Sequence, residues 1–363
     1  MNVVFLTKYT RLGASSRMRS YQFAPYFSVN GIAATYRPLF DDGYLKKLYA
    51  GKPTFWTAFK AYFRRFVILF SLHRYDAVVI EKEIFPYLPA FAEKMLKIKG
   101  IPYIVDYDDA IFHNYDQSEN PVVNTFLKNK IAKVMRYADL VTVGNSYLAE
   151  KAKASGSQKV IRIPTSLDVH RYCLKPKQQK VTTKFVIGWM GTSSTFQKHL
   201  KPCRAWLNKL LQENQHIFLS IVGVSQQEGW HAKTQFIPWT EDTEIGLLQK
   251  FDVGIMPLND SPWERGKCAY KLIQYAAVGV PGIASDVGMN REVCIPGETG
   301  FIAHTSEEWE RSILTFYEQP QMRVKMGQAA RNLVENSFSL ETVSRQWIGL
   351  FENIKQKHLI AKR

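Results

Sequence analysis

The chain has 363 residues, 46% hydrophobic and 22% charged, with a net charge of +16 and a pI of about 9.5. This length suits two domains of ordinary size, each able to bury a core, and the composition excludes a disordered or fibrous chain. The basic excess calls for an acidic counterpart: nucleic acid, an anionic membrane surface or an acidic substrate.

Cys173, Cys203, Cys268 and Cys294 are scattered, with no Cys-x-x-Cys pair and no zinc spacing. They read as reduced thiols in a cytosolic compartment. No apolar run approaches the ~18–20 residues of a membrane span. Val3 to Leu6 is too short for a signal-peptide core and reads as a first strand.

Asn2 to Lys8 is that strand, and it runs into YTRLGASSRMR. Strand, glycine loop and helix open a nucleotide-type fold, without the Gly-x-Gly-x-x-Gly fingerprint of a dinucleotide site. Ser15 or Ser16 is expected to cap the helix carrying Met18, Tyr21, Phe23 and Phe27. Arg17 and Arg19 lie in its first turn, against the dipole unless an anion is near. They are either contacts to a phosphate or acidic acceptor, or two solvated arginines. Ile32 to Leu39 is the second strand. Phe55, Phe59, Tyr62, Phe63, Phe66 and Phe70 then recur at helical spacing, with Lys60 and Arg64 on the opposite face. Aromatic stripes are usually core, so a core helix is expected. Its basic rim, with Lys46, Lys47, Lys52 and Arg65, is expected to touch an anionic leaflet.

Asp76 to Glu81 and Ile101 to Asp106 are strands, the second ending in Asp106-Tyr107-Asp108-Asp109. Carboxylates at the carboxyl end of a parallel strand lie where active sites sit. Asp106, Asp108 or Asp109 either orients an acceptor hydroxyl, as a weak base, or caps the strand end and binds a nearby arginine. His113 follows in the same loop; a lone histidine is more often structural. Val122 to Tyr137 reads as one amphipathic helix, Leu140 to Val143 as a strand, and Asn145-Ser146 as the cap of the next helix. Lys159 to Pro164 closes this half, and the polar, basic stretch from Cys173 to Lys184 reads as a linker.

The second half repeats the grammar. Phe185 to Met190 is a strand, followed by Gly191-Thr192-Ser193-Ser194-Thr195 before a helix. The hydroxyls and N–H groups of that loop can hold phosphate oxygens. Ile217 to Val222, Gln235 to Trp239 and Phe251 to Pro257 are strands; Trp239 is either a stacking surface or core. A polar loop ends in Gly266-Lys267, before an apolar run of helical spacing: Ala269, Leu272, Ile273, Ala276 and Ala277. Gly279 and Pro281 stop it, and a strand from Gly282 to Ser285 and a turn at Gly288 follow. Lys267 places a full charge beside a helix N-terminus, either as a phosphate contact or as a solvated lysine. Val324 to Leu333 and Leu340 to Ile354 are amphipathic helices, and Lys355 to Arg363 is a basic end.

The run YKLIQYAAVGVPGIAS, followed by VGMNREVCIPGETGFIA, resembles the donor-site signature of the family 4 retaining glycosyltransferases, the glycosyl transferases group 1 of the GT-B fold. That family carries two glutamates separated by seven residues. Gln274 stands at the second, while eight positions earlier is Gly266, with Glu264 off by two. The resemblance implies an α/β chain of two Rossmann-like domains facing across a cleft. Residues 1–175 would bind the acceptor and 183–335 the nucleotide-sugar donor, with 336–363 a C-terminal helix crossing back to the first domain. It implies retaining transfer to a glycan or lipid-linked glycan in cell-surface polysaccharide synthesis, by a cytoplasmic protein on the inner face of the membrane. The nucleotide-sugar is a substrate, and no cofactor, metal or nucleic acid is expected. For that reason Asp106-Tyr107-Asp108 is not read as a metal site.

The same resemblance assigns residues. Gln274 would hold the ribose hydroxyls through its amide. Thr192 fills the position of a family arginine and Lys198 that of a lysine. Gly191, Ser193, Ser194, Trp239, Tyr270 and Glu292 join them at the donor, with Gly13 and Arg17 toward the diphosphate. Lys267 and Lys198 would stabilise the leaving diphosphate, and Asp108 falls where many members carry a histidine. The segment IPTSLDVHRY matches a structural turn of the family. The alternatives are a GT-B phosphorylase or sugar-nucleotide epimerase and, from another class, a noncatalytic nucleic-acid binder, for which no binding module stands out.

Overall fold

The computed structural model describes residues 1–174 and 184–361. It divides into two compact units, each with its own sheet.

The first unit comprises Met1–Ser166, Gly266–Cys268 and Leu340–Arg363. Its strands are β1 (Asn2–Leu6), β2 (Ala33–Tyr36), β3 (Ala77–Glu81), β4 (Tyr103–Tyr107), β5 (Leu140–Val143) and β6 (Val160–Arg162). They form a parallel sheet in the order β2-β1-β3-β4-β5-β6. β3 and β4 are buried along their whole length, the state of parallel strands covered on both faces. Phe5, Val79 and Ile104 pack with Phe23 and Phe27 and with Trp347 and Phe351 of the last helix, Leu340–Ala361. That helix therefore returns to the first unit, as the resemblance implies.

The second unit comprises Leu167–Arg265 and Ala269–Ser339. Its strands are β7 (Phe185–Met190), β8 (Ile217–Val222), β9 (Thr234–Ile237), β10 (Val253–Met256), β11 (Gly282–Ala284) and β12 (Gly300–Ile302), parallel in the order β12-β11-β10-β7-β8-β9. β12 carries no strand signal that sequence reading picked up. The core joins Ile187, Trp189, Leu219 and Ile255 to Leu207 and Leu210 of the helix Arg204–Glu213 and to Phe316 of Ser306–Glu318. Each sheet reverses its strand order once, between β1 and β3 and between β7 and β10. Connections leave such a point in opposite directions and open a crevice at the carboxyl ends of the strands.

Several local expectations change. Residues 14–29 form three short pieces: Ala14–Arg19, a 3-10 turn at Tyr21–Phe23, and Ala24–Val29. The N-cap is Gly13, not Ser15 or Ser16. Ser16 Oγ instead accepts the Tyr9 N–H at 3.1 Å and donates to the buried Glu81 carboxylate at 2.7 Å, a stronger charge-assisted bond than a cap. The single helix expected over 122–137 is two, Pro121–Leu127 and Lys130–Tyr137. Asn145 does cap Ser146–Ala154, accepting from Leu148 N–H at 2.9 Å. The expected linker, 173–184, falls mostly outside the described residues.

The largest correction is the aromatic helix, Phe55–Leu69. Its buried side is Ala61, Arg65 and Leu69, while Phe55, Trp56, Phe59, Phe63, Phe66 and Phe70 are exposed. Arg65, expected on the basic rim, lies in the core and donates to the carbonyls of Thr7 at 2.7 Å and Arg37 at 2.9 Å. These carbonyls follow β1 and β2, and a buried carbonyl must find a donor. One long donor and small Ala61 let the helix approach there, so the aromatic side faces out.

Candidate functional site

In the first unit the crevice lies where β1 and β3 end. Glu81, the last residue of β3, is buried and accepts from Lys8 N–H at 2.9 Å and from Ser16 Oγ. Burial holds its carboxyl above the usual range, against the pull of Lys82. Lys82 has φ +68°, a left-handed conformation that costs a non-glycine residue of order 1 kcal/mol or more. Its ammonium is buried, 2.9 Å from Asp108 Oδ1 and 3.6 Å from Asp109 Oδ2. Ser15 Oγ donates to Asp108 Oδ2 at 2.5 Å. Just behind, Asp106 takes a bidentate contact from Arg19, at 2.9 and 2.6 Å, and a bond from Thr142 Oγ1 at 2.7 Å.

The charges in this cluster push neighbouring groups apart. Burial alone would lower Lys82, but Asp108 and Asp109 outweigh it and the ammonium is held above its ordinary pKa. Burial pushes Asp108 up, yet Lys82 and then Arg19 bring it below the usual carboxylate value. Asp109 moves the other way: burial first, then the Asp108 charge, raise it against Lys82 and Lys267. Two adjacent carboxyls with opposed shifts are the pattern of one permanent anion and one proton carrier.

In the second unit the crevice lies where β7 and β10 end. A Cβ at Gly191 would stand 2.5 Å from the Trp189 ring, 2.7 Å from Lys271 Nζ and 2.7 Å from Thr195 Oγ1, so only glycine fits. Thr192 caps the following turn, with its Oγ1 3.1 Å from Ser194 Oγ. Lys271, on the helix Tyr270–Ala277, lies with Nζ 4.5 Å from the Trp189 ring centroid. That places an ammonium beside a loop of hydroxyls and N–H groups. Tyr275 of the same helix fixes the strand end, its hydroxyl accepting Met190 N–H at 3.1 Å. The ring reaches there because position 254 is glycine; a Cβ would be 2.2 Å from it. Ala269, the helix N-cap, is left-handed at φ +50°.

Two further carboxylates flank this loop. Glu264, fully buried, accepts Lys198 Nζ at 2.6 Å and the Ser261 hydroxyl, with His199 Nε2 at 3.4 Å. Burial pushes its carboxyl up, but the bonds from Lys198 and Ser261 hold it below the usual value. Glu244 accepts from Trp239 Nε1 at 2.7 Å, from Gln274 Nε2 at 3.0 Å and from the Tyr172 hydroxyl. The indole is thus anchored by its N–H while 41% of the residue stays exposed.

Residues 175–333 match the family model described as glycosyl transferases group 1. Solved structures agree on the fold. The sucrose-phosphate synthase of Thermosynechococcus elongatus is 14% identical with a TM-score of 0.67, over 98% of this chain and 100% of that one. The Anabaena protein HepE in complex with UDP-glucose is 17% identical at 0.68, over 97% and 99%. A glycosyltransferase from Rickettsia africae is 14% identical at 0.69, over 97% and 98%. The fold is GT-B. A comparison with curated protein sequences found no match.

The second unit gathers Gly191, Thr192, Ser193 and Ser194 at one strand end. Trp239 and Gln274 share Glu244, and Lys198 is held by Glu264. Tyr270 opens the Lys271 helix, and Glu292 lies half-buried in the short helix Asn290–Val293. Lys267 belongs to the first unit, where its carbonyl accepts Asn145 Nδ2 at 3.0 Å. In the first unit Asp108 and Asp109 come together, and Gly13 caps the helix that carries Ser15 and Arg17. Asp106 is engaged by Arg19. His113 has both ring nitrogens occupied, by Asp116 at 2.7 Å and the Tyr147 hydroxyl at 2.9 Å.

Sequence reading passed over Lys82, Lys271, Glu244 and Glu264. Two carried a usable signal. Lys82 directly follows a buried strand, where site residues collect, and Lys271 lies inside the family signature itself. Glu244 had none, because its partner Gln274 is 30 residues away.

Proposed function

We propose that the protein is a retaining glycosyltransferase that moves a sugar from a nucleoside-diphosphate donor to a glycan or lipid-linked glycan in cell-surface polysaccharide synthesis. The observation that carries the donor assignment is the loop Gly191–Thr195 with the Lys271 ammonium beside it. A departing diphosphate gathers negative charge in the transition state, and fixed donors aimed at it lower the barrier. Lys271 takes the part that Lys267 was expected to play, and Lys198, oriented by Glu264, supports it. Trp239 offers a ring face to the base. Gln274 and Glu244 together supply the polar edge for the ribose that a glutamate at 274 supplies in relatives.

Both buried carboxylates near the loop are engaged by donors, which disfavours either as a covalent nucleophile. The acceptor oxygen then attacks on the face the diphosphate leaves, and a phosphate oxygen takes its proton. Asp108 and Asp109 orient the acceptor hydroxyl, Asp108 as the fixed charge, while its proton passes to the phosphate. The uridine complexes of HepE make uridine diphosphate sugars the first donors to test.

The test is thermal unfolding with UDP, GDP, CDP, ADP and their sugars. The matching nucleotide stabilises by ~2.7 kcal/mol at a hundredfold excess over its Kd, and Lys271→Ala loses most of that shift. No response to any nucleotide, or an unchanged response in the variant, defeats the assignment. With the donor in hand, the anomeric configuration of the product by NMR decides retention.

A further inference from the structure

The helix Phe55–Leu69 presents a band of apolar side chains to solvent. At 100° per residue, Phe55, Phe66, Phe59, Phe63, Trp56 and Val67 fall within one third of its circumference, away from Ala61, Arg65 and Leu69. Phe55 is 70% exposed, Trp56 72%, Phe59 61% and Phe63 66%. A contiguous apolar band of this kind marks an interaction surface.

Cations outnumber carboxylates around the band, where Asp41 lies 3.8 Å from Arg64. From Gly43 to Tyr75 there are 7 Lys and Arg and no Asp or Glu. Lys60 and Arg64 sit at one margin of the band. Lys47, from the preceding helix Asp42–Tyr49, reaches Thr57 Oγ1 at 3.3 Å, and the exposed Leu48 and Tyr49 lie beside it in sequence. At the other end Lys99 Nζ is 5.9 Å from the Phe70 ring centroid. Only Arg65 of this run is turned into the core.

We propose that this face docks on the surface of an anionic phospholipid bilayer, with the rings in the acyl boundary and the lysines and arginines among the headgroup phosphates. Aromatic side chains in the plane of the interface, flanked by cations, are the composition of a helix that lies on a membrane without crossing it, and no described helix is long and apolar enough to span one. A second copy of this chain fits poorly. A two-fold contact would set the same mostly cationic margin against itself, with Asp41 already engaged by Arg64. Nucleic acid fits poorly as well, because the cations lie around the apolar band and not along its centre. The inference stands on the first unit alone and does not depend on the donor assignment.

Cosedimentation of the full chain with vesicles of phosphatidylglycerol and phosphatidylethanolamine, against phosphatidylcholine alone, tests it. Binding is expected to the anionic vesicles and to weaken as salt rises. The pair Phe59→Asp and Phe63→Asp should weaken it at least tenfold, and Lys46→Glu with Lys47→Glu by a similar factor. Brominated phosphatidylglycerol should quench fluorescence in the wild type and less in Trp56→Phe. All variants should keep the wild-type circular dichroism spectrum and thermal midpoint, which separates loss of docking from loss of fold. Vesicle binding that is absent, that ignores these substitutions or that is equal on phosphatidylcholine overturns the proposal. So does a dimer in sedimentation equilibrium that Phe59→Asp and Phe63→Asp dissociate.

Discussion

The two units place opposite kinds of chemistry at the same topological point. Where β1 and β3 end, charges are buried and answer one another: Lys82 to Asp108 and Asp109, Arg19 to Asp106, Ser16 to Glu81. Where β7 and β10 end, a glycine lets a ring, an ammonium and a hydroxyl pack close to the backbone, and an indole is anchored by its N–H. One parallel-sheet geometry thus carries a cluster of interlocked charges in the first unit and a cation beside a hydroxyl-rich turn in the second.

Removing a charge should therefore cost folding in the first unit and function in the second. The largest effect is expected for Lys82→Met, which strands two or three buried carboxyls. Breaking a buried pair this way costs roughly 3–5 kcal/mol, read by urea denaturation, and Asp108→Asn in the same chain should recover part of it. Lys271→Ala should leave the urea midpoint nearly unchanged and lower kcat roughly 10²–10³-fold, the loss typical of one donor aimed at a leaving charge. If Lys271→Ala unfolds the protein and Lys82→Met does not, the contrast is reversed.

Smaller changes sharpen it. Gln274→Glu sets a second carboxylate 3.0 Å from Glu244, in place of an amide donor. It should destabilise by about 1–3 kcal/mol, the cost of a spoiled buried polar contact, less at pH 5 than at pH 8 because one proton relieves the pair. Trp239→Ala should raise KM for the donor roughly tenfold with kcat nearly intact, a base-stacking loss of about 1–3 kcal/mol.

The pH effect is the smallest. Asp108 is lowered in the folded state from an unfolded value of about 3.9. Its stabilising contribution is fully present above that value and disappears as pH falls through the folded pKa. The stability difference between wild type and Asp108→Asn should shrink below about pH 4 and stay constant from pH 5 to 7. Calorimetry across this range checks the sign.

Much of the fold was readable from local pattern. β5, β7 and β8 fall where apolar, β-branched runs place them, and the last helix joins the first unit as the family resemblance implies. The aromatic helix was misread for a definite reason. Periodicity reports that one side differs from the other, and the aromatic side was taken as buried because rings usually are. The structure buries Ala61, Arg65 and Leu69, with Arg65 giving the Arg37 carbonyl a donor and the Thr7 carbonyl a second one beside Leu39 N–H, and no residue spacing announces those partners. The Gly191 loop was legible as small residues after a strand, whereas Lys271, whose ammonium lies 4.5 Å from the Trp189 ring centroid, was passed over.

From residue order alone came the parallel α/β architecture, the switch from one sheet to the next and the resemblance carried by residues 267–300, because each rests on short-range periodicity and contiguous motifs. Tertiary structure alone decided which cation meets which anion. Lys82 with Asp108, Lys198 with Glu264 and Gln274 with Glu244 join residues 26, 66 and 30 positions apart. Electrostatic attraction and the cost of burying an unpaired charge depend on distance in space and on exclusion of water, and neither is a property of sequence separation.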